Sequence, residues 1–405
     1  MTNLTEADVA LKKQHVIDPE ICIRCNTCEA TCPVGAVTHD DVNYVVDAEK
    51  CNYCMDCISP CPTGSIDNWR VVSAGRPYTI DEQLGWTELP KQQEFSGGDT
   101  EAASEALEAE VGALLAEAHK GAGGKAVAPA SAARPSVNLY SRAKPLLATV
   151  QGNFRITARS ADSDIRHIVL NFGDQPFPVL EGQSIGIAIA GTRPDGKPHD
   201  IRLYSIASAR DGEKRNGNNL SLTIKRTPGG FGSNYMCDLK VGDKVNVTGP
   251  FGATFLMPND INANIVMICT GTGSAPFRAF TERRRRAMQG AAGKMVMYFG
   301  ARSPEELPYF GPLQKVPDSL LEKHLVYSRL AGQPKEYVQD RMRKHGPALA
   351  KLARDPQTHI FICGLRGMEA GVDEALADIC RAEGLDWSRI KPEMRLSGRY
   401  HVETY

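Results

Sequence analysis

At 405 residues the chain is too long for one ordinary core, which points to two or three domains. An apolar content of 42% and a charged content of 23% are those of a globular protein, and a net charge of −1 gives no reason to expect nucleic acid or an anionic membrane as the main partner. No run of about 18 apolar residues occurs, and the polar start Met1-Thr2-Asn3-Leu4-Thr5-Glu6 lacks a leader pattern, so a cytoplasmic location without membrane attachment is expected.

The first compositional block is crowded with cysteine. Cys22, Cys25, Cys28 and Cys32, followed by Pro33, have the spacing C-x2-C-x2-C-x3-C-P, and Cys51, Cys54, Cys57 and Cys61, followed by Pro62, repeat it. Three thiolates from one tight loop hold three irons of a cube, while the fourth, beside a proline that redirects the chain, reaches the other cube. The crossing assigns Cys22, Cys25, Cys28 and Cys61 to one [4Fe–4S] cluster and Cys51, Cys54, Cys57 and Cys32 to the second. Zinc knuckles are the plainer alternative, but zinc takes four tetrahedral ligands, usually as two separated pairs, and does not need this run twice. This block resembles bacterial two-cluster ferredoxins and sets a first domain at 1–75.

Residues 76–136 change character. Ala, Glu and Gly dominate, as in Glu101-Ala102-Ala103-Ser104-Glu105-Ala106-Leu107, with few aromatic or β-branched residues to bury. The segment reads as a flexible linker with a helical piece near 101–119.

From 137 onward, short strand-like runs punctuated by Gly and Pro occur at 150–158, 165–172, 184–190, 220–225 and 244–247, the pattern of an antiparallel barrel. Within it, Arg202-Leu203-Tyr204-Ser205 offers what an FAD needs: an aromatic face, a hydroxyl near N5 and a cation for the pyrophosphate, expected on one face of one strand. Gly230-Phe231-Gly232-Ser233 makes a glycine-rich turn into a helix whose free N–H groups suit a phosphate.

After 262, apolar runs alternate with helical segments, as in a doubly wound parallel sheet. Thr270-Gly271-Thr272-Gly273-Ser274-Ala275-Pro276 lies between a strand and a helix, the context of a pyrophosphate cradle, though without the G-x-G-x-x-G fingerprint. Tyr327-Ser328-Arg329 and Lys335-Glu336-Tyr337-Val338-Gln339 bring two cations, a hydroxyl and an aromatic ring, a set suited to a 2′-phosphate and hence to NADPH over NADH. The run Arg283-Arg284-Arg285-Arg286 reads as a solvated helix face, with a docking patch for an acidic partner as the alternative. Cys237, Cys269 and Cys380 have no mutual ligand spacing and read as packing residues.

In order and spacing, the motifs Glu181-Gly182-Gln183-Ser184, Thr248-Gly249-Pro250-Phe251-Gly252, Cys363-Gly364-Leu365-Arg366-Gly367 and Tyr400-His401-Val402-Glu403-Thr404-Tyr405, with those above, resemble the ferredoxin–NADP reductase family. The resemblance covers nearly all of 140–405. It implies a multidomain α+β and α/β protein: a two-cluster ferredoxin module, an antiparallel β-barrel FAD domain (137–258) and a doubly wound parallel α/β NADP domain (259–405). It further implies that Arg202, Leu203, Tyr204, Ser205, Lys225, Phe231, Gly232, Ser233 and Tyr405 contact FAD, with Tyr405 stacked on the flavin. Thr272, Ser328, Arg329, Lys335, Tyr337, Gln339, Gly364 and Leu365 would contact NADPH, and Ser205, Cys363, Glu403 and Tyr405 would lie along the hydride path.

Hydride arrives as two electrons, clusters carry one each and flavin handles both, so the expected order is NADPH, FAD, clusters, acceptor. No motif in the chain supplies a substrate-transforming centre, so the acceptor is expected to be another protein. The N-terminal block Ile17-Asp18-Pro19-Glu20-Ile21-Cys22 through Pro33, joined by a linker to this reductase, resembles the reductase components of benzoyl-CoA epoxidases. That resemblance implies a di-iron oxygenase component as partner. A general NADPH–ferredoxin reductase and a redox-sensing module are the other readings.

Overall fold

In a computed structural model of the chain, residues 11–58, 60–93, 101–122, 126–193, 196–215, 217–288 and 290–405 are described, with residues 101–108 and 122 described in the backbone only. The polar start and parts of the linker therefore lie outside the described residues. Among those described, no helix is long and apolar enough to cross a membrane.

The first module is small and built by duplication. Strands β1 (Leu11–Val16) and β4 (Asn68–Ser73) pair antiparallel, as do β2 (Val37–His39) and β3 (Tyr44–Val46), with helix α1 (Thr27–Thr31) between β1 and β2 and α2 (Ile80–Leu84) after β4. Val37, Tyr44, Val46, Ile58, Ile66 and Trp69 pack together with the cysteines themselves. The thiols are thus part of the core. All four cysteines of the second quartet follow those of the first by 29 residues, and the backbone repeats with the same offset. Arg24 and Tyr53, Asn26 and Met55, and Gly35 and Gly64 all have positive φ, at 56° and 58°, 60° and 70°, and 60° and 70°.

Helix α3 (Glu101–Ala118) follows and packs on the next module: Val111 is buried with Ile201 and Phe251. Strands β5 (Leu146–Arg155), β6 (Ile165–Asn171), β7 (Ser184–Ala188), β8 (Arg202–Ser205), β9 (Asn219–Lys225) and β10 (Lys244–Phe251) form one antiparallel sheet in the order β8-β7-β10-β5-β6-β9. Its edges approach through an isolated bridge, Ile206 to Leu222, which curls the sheet around a core of Val150, Ile168, Leu170, Ile185, Leu222 and Val247. Helix α4 (Phe231–Asp238) lies between β9 and β10.

The last module is the expected parallel sheet: β11 (Asn264–Thr270), β12 (Met295–Ala301), β13 (Glu322–Tyr327), β14 (Thr358–Gly364) and β15 (Tyr400–Thr404), in the order β13-β12-β11-β14-β15. Helices α5 (Ser274–Ala287), α6 (Phe310–Gln314), α7 (Val338–Lys344), α8 (Gly346–Arg354), α9 (Met368–Ala382) and α10 (Trp387–Leu396) link the strands. The order reverses between β11 and β14, and ligands of open α/β sheets bind at such a switch point, outside the carboxyl ends of the strands. The linker also reaches this sheet. A Cβ on Gly121 would meet Val402 of the edge strand β15 at 2.9 Å, and one on Gly398 would meet the Ala128 carbonyl at 2.1 Å.

The arginine run corrects a sequence expectation. Arg283 and Arg284 are 6% and 2% exposed, so the run is not a solvated face. Arg284 donates to the carbonyls of Ala263 and Gly293, both at 3.0 Å, tying α5 to the loops that open β11 and β12. Arg286 bonds Asp211 at 3.2 Å, and Arg285 alone, paired with Glu282, faces solvent. Cys237, Cys269 and Cys380 are buried, as packing residues should be.

Candidate redox site

Strand β8 carries the first half of the site, and its pleat divides the residues expected on one face. Period two sends Arg202 and Tyr204 one way and Ser205 the other. Tyr204 lies against the barrel core, where burial pushes its phenol up to about 12. Arg202 runs beside the start of α4: a Cβ on Gly232 would stand 2.7 Å from its side chain. Only glycine lets that helix N-terminus come so close to the guanidinium, and the pair forms an open, positive cradle with half-exposed Phe231 at its rim. Ser233 turns inward, its hydroxyl donating to the Gly230 carbonyl at 3.3 Å, and Lys225 ends β9 with its side chain exposed.

Ser205, on the other face, meets the parallel sheet. Its hydroxyl and that of Ser184, its cross-strand partner, both face the carboxylate of Glu403 on β15 and favour its charged form. Glu403 is 6% exposed. Burial raises its pKa to about 7, against the two hydroxyls, which pull it down. Register places Glu403 opposite Cys363, and Cys363 opposite Cys269. Burial, with Glu403 beside it, pushes the Cys363 thiol well above its ordinary value. Cys363 is therefore a neutral, packed group at the end of β14.

The glycine loop after β11 closes against the same strand end. A Cβ on Gly273 would lie 2.2 Å from the Cys363 carbonyl, so no other residue fits there without moving backbone. Thr272, one residue earlier, shares a 2.8 Å hydrogen bond with the Tyr405 hydroxyl, and the Tyr405 N–H donates to the Gly364 carbonyl at 3.1 Å. Ser205, Cys363, Glu403, Tyr405, Thr272 and Gly364 are thereby brought to one place, with exposed Leu365 beside them.

The expected NADPH residues form a second group. Ser328 and Arg329 follow β13, their N–H groups donating to the carbonyls of Ala301 and Arg302 at 3.0 and 2.8 Å. Lys335 and Tyr337 are exposed just before α7, and Gln339 in its first turn lies against Gly371 of α9. All stand at the carboxyl edge of the parallel sheet, with Arg329 open to solvent.

In the first module the crossing of the quartets is visible. Cys22, Cys25, Cys28 and Cys61 line one cavity with Tyr44, Thr63 and Ser65. Cys32 lies among the others: burial, with the Cys32 and Cys54 thiols nearby, pushes Cys51 up. Hydrogen bonds aim at sulfur from Thr27 to Cys25 at 3.2 Å and from the Ala36 N–H to Cys32 at 3.2 Å. The paired positive-φ residues make the tight inward loops that anionic clusters favour. Four thiols about a cavity, with donors behind them, fit a cubane.

Sequence reasoning missed Ser184, although the motif containing it was in view. A serine opposite another serine on a barrel strand gives no signal until the partner sheet is placed. It also missed Asp67, Glu181 and Arg210, a set in which Asp67 and Arg210 lie 143 positions apart.

A barrel beside a switched parallel sheet, with a phosphate cradle on each and a thiol-lined module in front, defines a flavin- and nicotinamide-dependent oxidoreductase with an iron–sulfur domain. Family models agree: residues 155–255 match an oxidoreductase FAD-binding domain, 267–374 an oxidoreductase NAD-binding domain, and 14–77 a 4Fe-4S dicluster domain. The cyanelle ferredoxin–NADP reductase of Cyanophora paradoxa is 37% identical over 287 residues, 66% of this chain and 79% of that protein. The ferredoxin–NADP reductase of Spirulina sp is 35% identical, over 66% of this chain and 98% of that one. Among solved structures, Plasmodium falciparum ferredoxin–NADP+ reductase with 2′P-AMP is similar at 25% identity and a TM-score of 0.53, covering 66% of this chain and 99% of that one. The chain belongs to the ferredoxin–NADP reductase family. It is an NADPH-dependent flavoprotein of that kind with a 4Fe–4S dicluster domain added.

Proposed function

We propose that the chain is a reductase component passing electrons from NADPH through FAD and two [4Fe–4S] clusters to a separate di-iron oxygenase that epoxidises benzoyl-CoA with O2 in aerobic benzoate degradation. The observation that carries the redox half is the junction of Ser184 and Ser205 on the barrel with Glu403 on the parallel sheet, closed by Tyr405. The oxygenase half rests on the N-terminal block around Cys22–Cys32 and on the order of the modules.

When bound, FAD supplies a carrier that takes two electrons from NADPH and releases them singly to the clusters. The residues do the rest. Arg202 and the first N–H groups of α4, with Gly232 and Ser233, hold the FAD pyrophosphate, while Ser328, Arg329 and Lys335 grip the 2′-phosphate of NADPH and Tyr337 stacks on its adenine. Glu403, near neutrality, holds or releases a proton at the Ser205 hydroxyl. Buried Cys363 keeps the floor dry, and Thr272 fixes Tyr405 across the opening. The 2′P-AMP bound by the similar Plasmodium falciparum reductase supports the choice of NADPH.

Purified without oxygen, the protein should contain about eight irons, about eight acid-labile sulfides and one FAD, as two Cys-ligated cubes require. Mixed with a di-iron oxygenase and benzoyl-CoA, it should couple NADPH oxidation to benzoyl-CoA-dependent O2 uptake. Zinc with negligible sulfide sinks the clusters. Reduction of unrelated ferredoxins without any benzoyl-CoA-dependent uptake would make it a general NADPH–ferredoxin reductase.

A further inference from the structure

Four charged side chains are shut away where the first module meets the reductase. Asp67 comes from the turn before β4, Glu181 from the turn before β7, Arg210 from the loop after β8 and Arg283 from α5. Their side chains are 0%, 0%, 3% and 7% exposed. Arg210 donates to both Asp67 and Glu181, reaching the latter at 2.5 and 2.8 Å, while its own backbone N–H donates to Glu181 at 2.6 Å. Arg283 donates to the same Asp67 oxygen, Oδ2. Two carboxylates and two guanidiniums leave the set neutral. Burial works against ionising Asp67, and Arg210 and Arg283 outweigh it, holding its carboxyl below the usual range.

The set joins segments that lead to each of the two redox sites. Asp67 lies on the segment that leaves Cys61: its N–H donates to the Gly64 carbonyl at 2.9 Å, and the Cys61 sulfur lies 3.4 Å from the Ser65 hydroxyl. Glu181 stands three residues before Ser184, which faces Glu403. The surrounding fit is close. A Cβ on Gly64 would stand 2.7 Å from the Asn259 side chain, and the Arg134 N–H donates to the Asn68 side chain at 3.2 Å.

We propose that Asp67, Arg210, Glu181 and Arg283 are an ionic key that holds the ferredoxin module on the reductase in one orientation, so that electrons cross from flavin to clusters inside a preformed interface. Buried charges are poor sources of net stability but strict about geometry. In any other docking, Asp67 is unpaired and Arg283 loses its carboxylate, while Arg210 keeps only Glu181. An apolar patch of the same area would tolerate sliding. Two proteins that meet through solvated charges do so at a rate that falls with salt, whereas a dry, pre-assembled set is little screened. The inference rests on the electron order proposed above.

The test uses the full-length protein carrying FAD and clusters. In wild type, stopped-flow bleaching of the clusters after flavin reduction should not change between about 0.05 and 1 M salt, nor with added viscogen. A rate falling steeply with either means that docking recurs at each turnover, and overturns the key. In Asp67→Asn, cluster bleaching should slow at least about tenfold and become salt-dependent, because the module then searches from its tether. Ferricyanide reduction by NADPH, which reads the flavin alone, should stay within about twofold. Amide exchange at residues 63–67 and 207–211, measured without NADPH, should rise at least about tenfold in the variant. Unchanged bleaching and unchanged exchange in Asp67→Asn overturn the proposal. Should NADPH fail to reduce the flavin, the electron order fails, and the exchange measurement still decides the key.

Discussion

Glu403 is the residue whose environment makes the sharpest demand. Its pKa in the folded chain is about 7 against an ordinary 4.5, so the folded state keeps a proton that the unfolded state has released. Stability is therefore full below pH 4.5 and declines as pH rises through 7. The loss approaches about 3 kcal/mol for a shift of this size. Glu403→Gln should raise the melting temperature at pH 8 and leave it unchanged at pH 4.5, and it should remove an inflection near pH 7 from NADPH-driven flavin reduction. Equal melting shifts at both pH values would mean that the carboxylate is not buried as an acid. Arg329 stands at the other end of the site, open to solvent at the sheet edge. Arg329→Ala should raise the KM for NADPH roughly tenfold to a hundredfold, about 1.5–3 kcal/mol for charge-assisted contacts, and hardly move that for NADH. Comparable losses with both nucleotides place the phosphate grip elsewhere. These residues were legible in the sequence because each sits beside a glycine or a strand end with a fixed chemical meaning. The burial of Glu403 was not, since nothing local to Val402-Glu403-Thr404 says that two serines from another sheet will face it.

At the scale of elements, the 29-residue repeat was plain from spacing alone, and the structure adds its backbone. Positive φ at Arg24, Asn26, Tyr53 and Met55 departs from the preference of those residue types, as loops that turn their cysteines inward require. The crossing makes a pointed prediction. Cys61→Ala should lose the signal of the cluster built on Cys22, Cys25 and Cys28 and keep most of that built on Cys51, with about half the iron remaining, as paramagnetic resonance of the reduced protein will report. Loss of the Cys51-based signal instead would reverse the assignment. Strands β6, β7, β9 and β10 fell close to the apolar runs that announced them, and β5 began four residues before its run. The short strands of the first module did not, because its core is shared with cysteines from the loops and its strands are too brief to show a period. Low hydrophobicity made the 76–136 segment look like a simple tether. It contributes few apolar side chains, but Val111 and Ala133 are placed to fill gaps on the reductase, and a count of composition cannot see placement.

For the whole molecule, that packing decides where the chain can be cut. A reductase beginning at residue 137 removes Val111 from Ile201 and Phe251, and Ala133 from Leu180 and Leu256. It also bares the edge of β15, which carries Glu403. A version beginning near residue 101 should reduce ferricyanide with NADPH at close to the full-length rate while delivering nothing to an oxygenase. One beginning at 137 should melt lower and lose flavin more readily, as thermal unfolding and retained FAD absorbance will measure. Identical behaviour of the two would make the segment a tether after all. Module order and cofactors could be read from motifs; the interface could not, because Asp67 pairs with residues 143 and 216 positions further on. Those separations also set a schedule. At about 5–20 residues per second, Asp67 leaves the ribosome roughly 10–40 s before Arg283 exists to receive it. For that interval the cysteine loops are complete while their docking face stands open, so iron and sulfide can be loaded before the reductase closes over them.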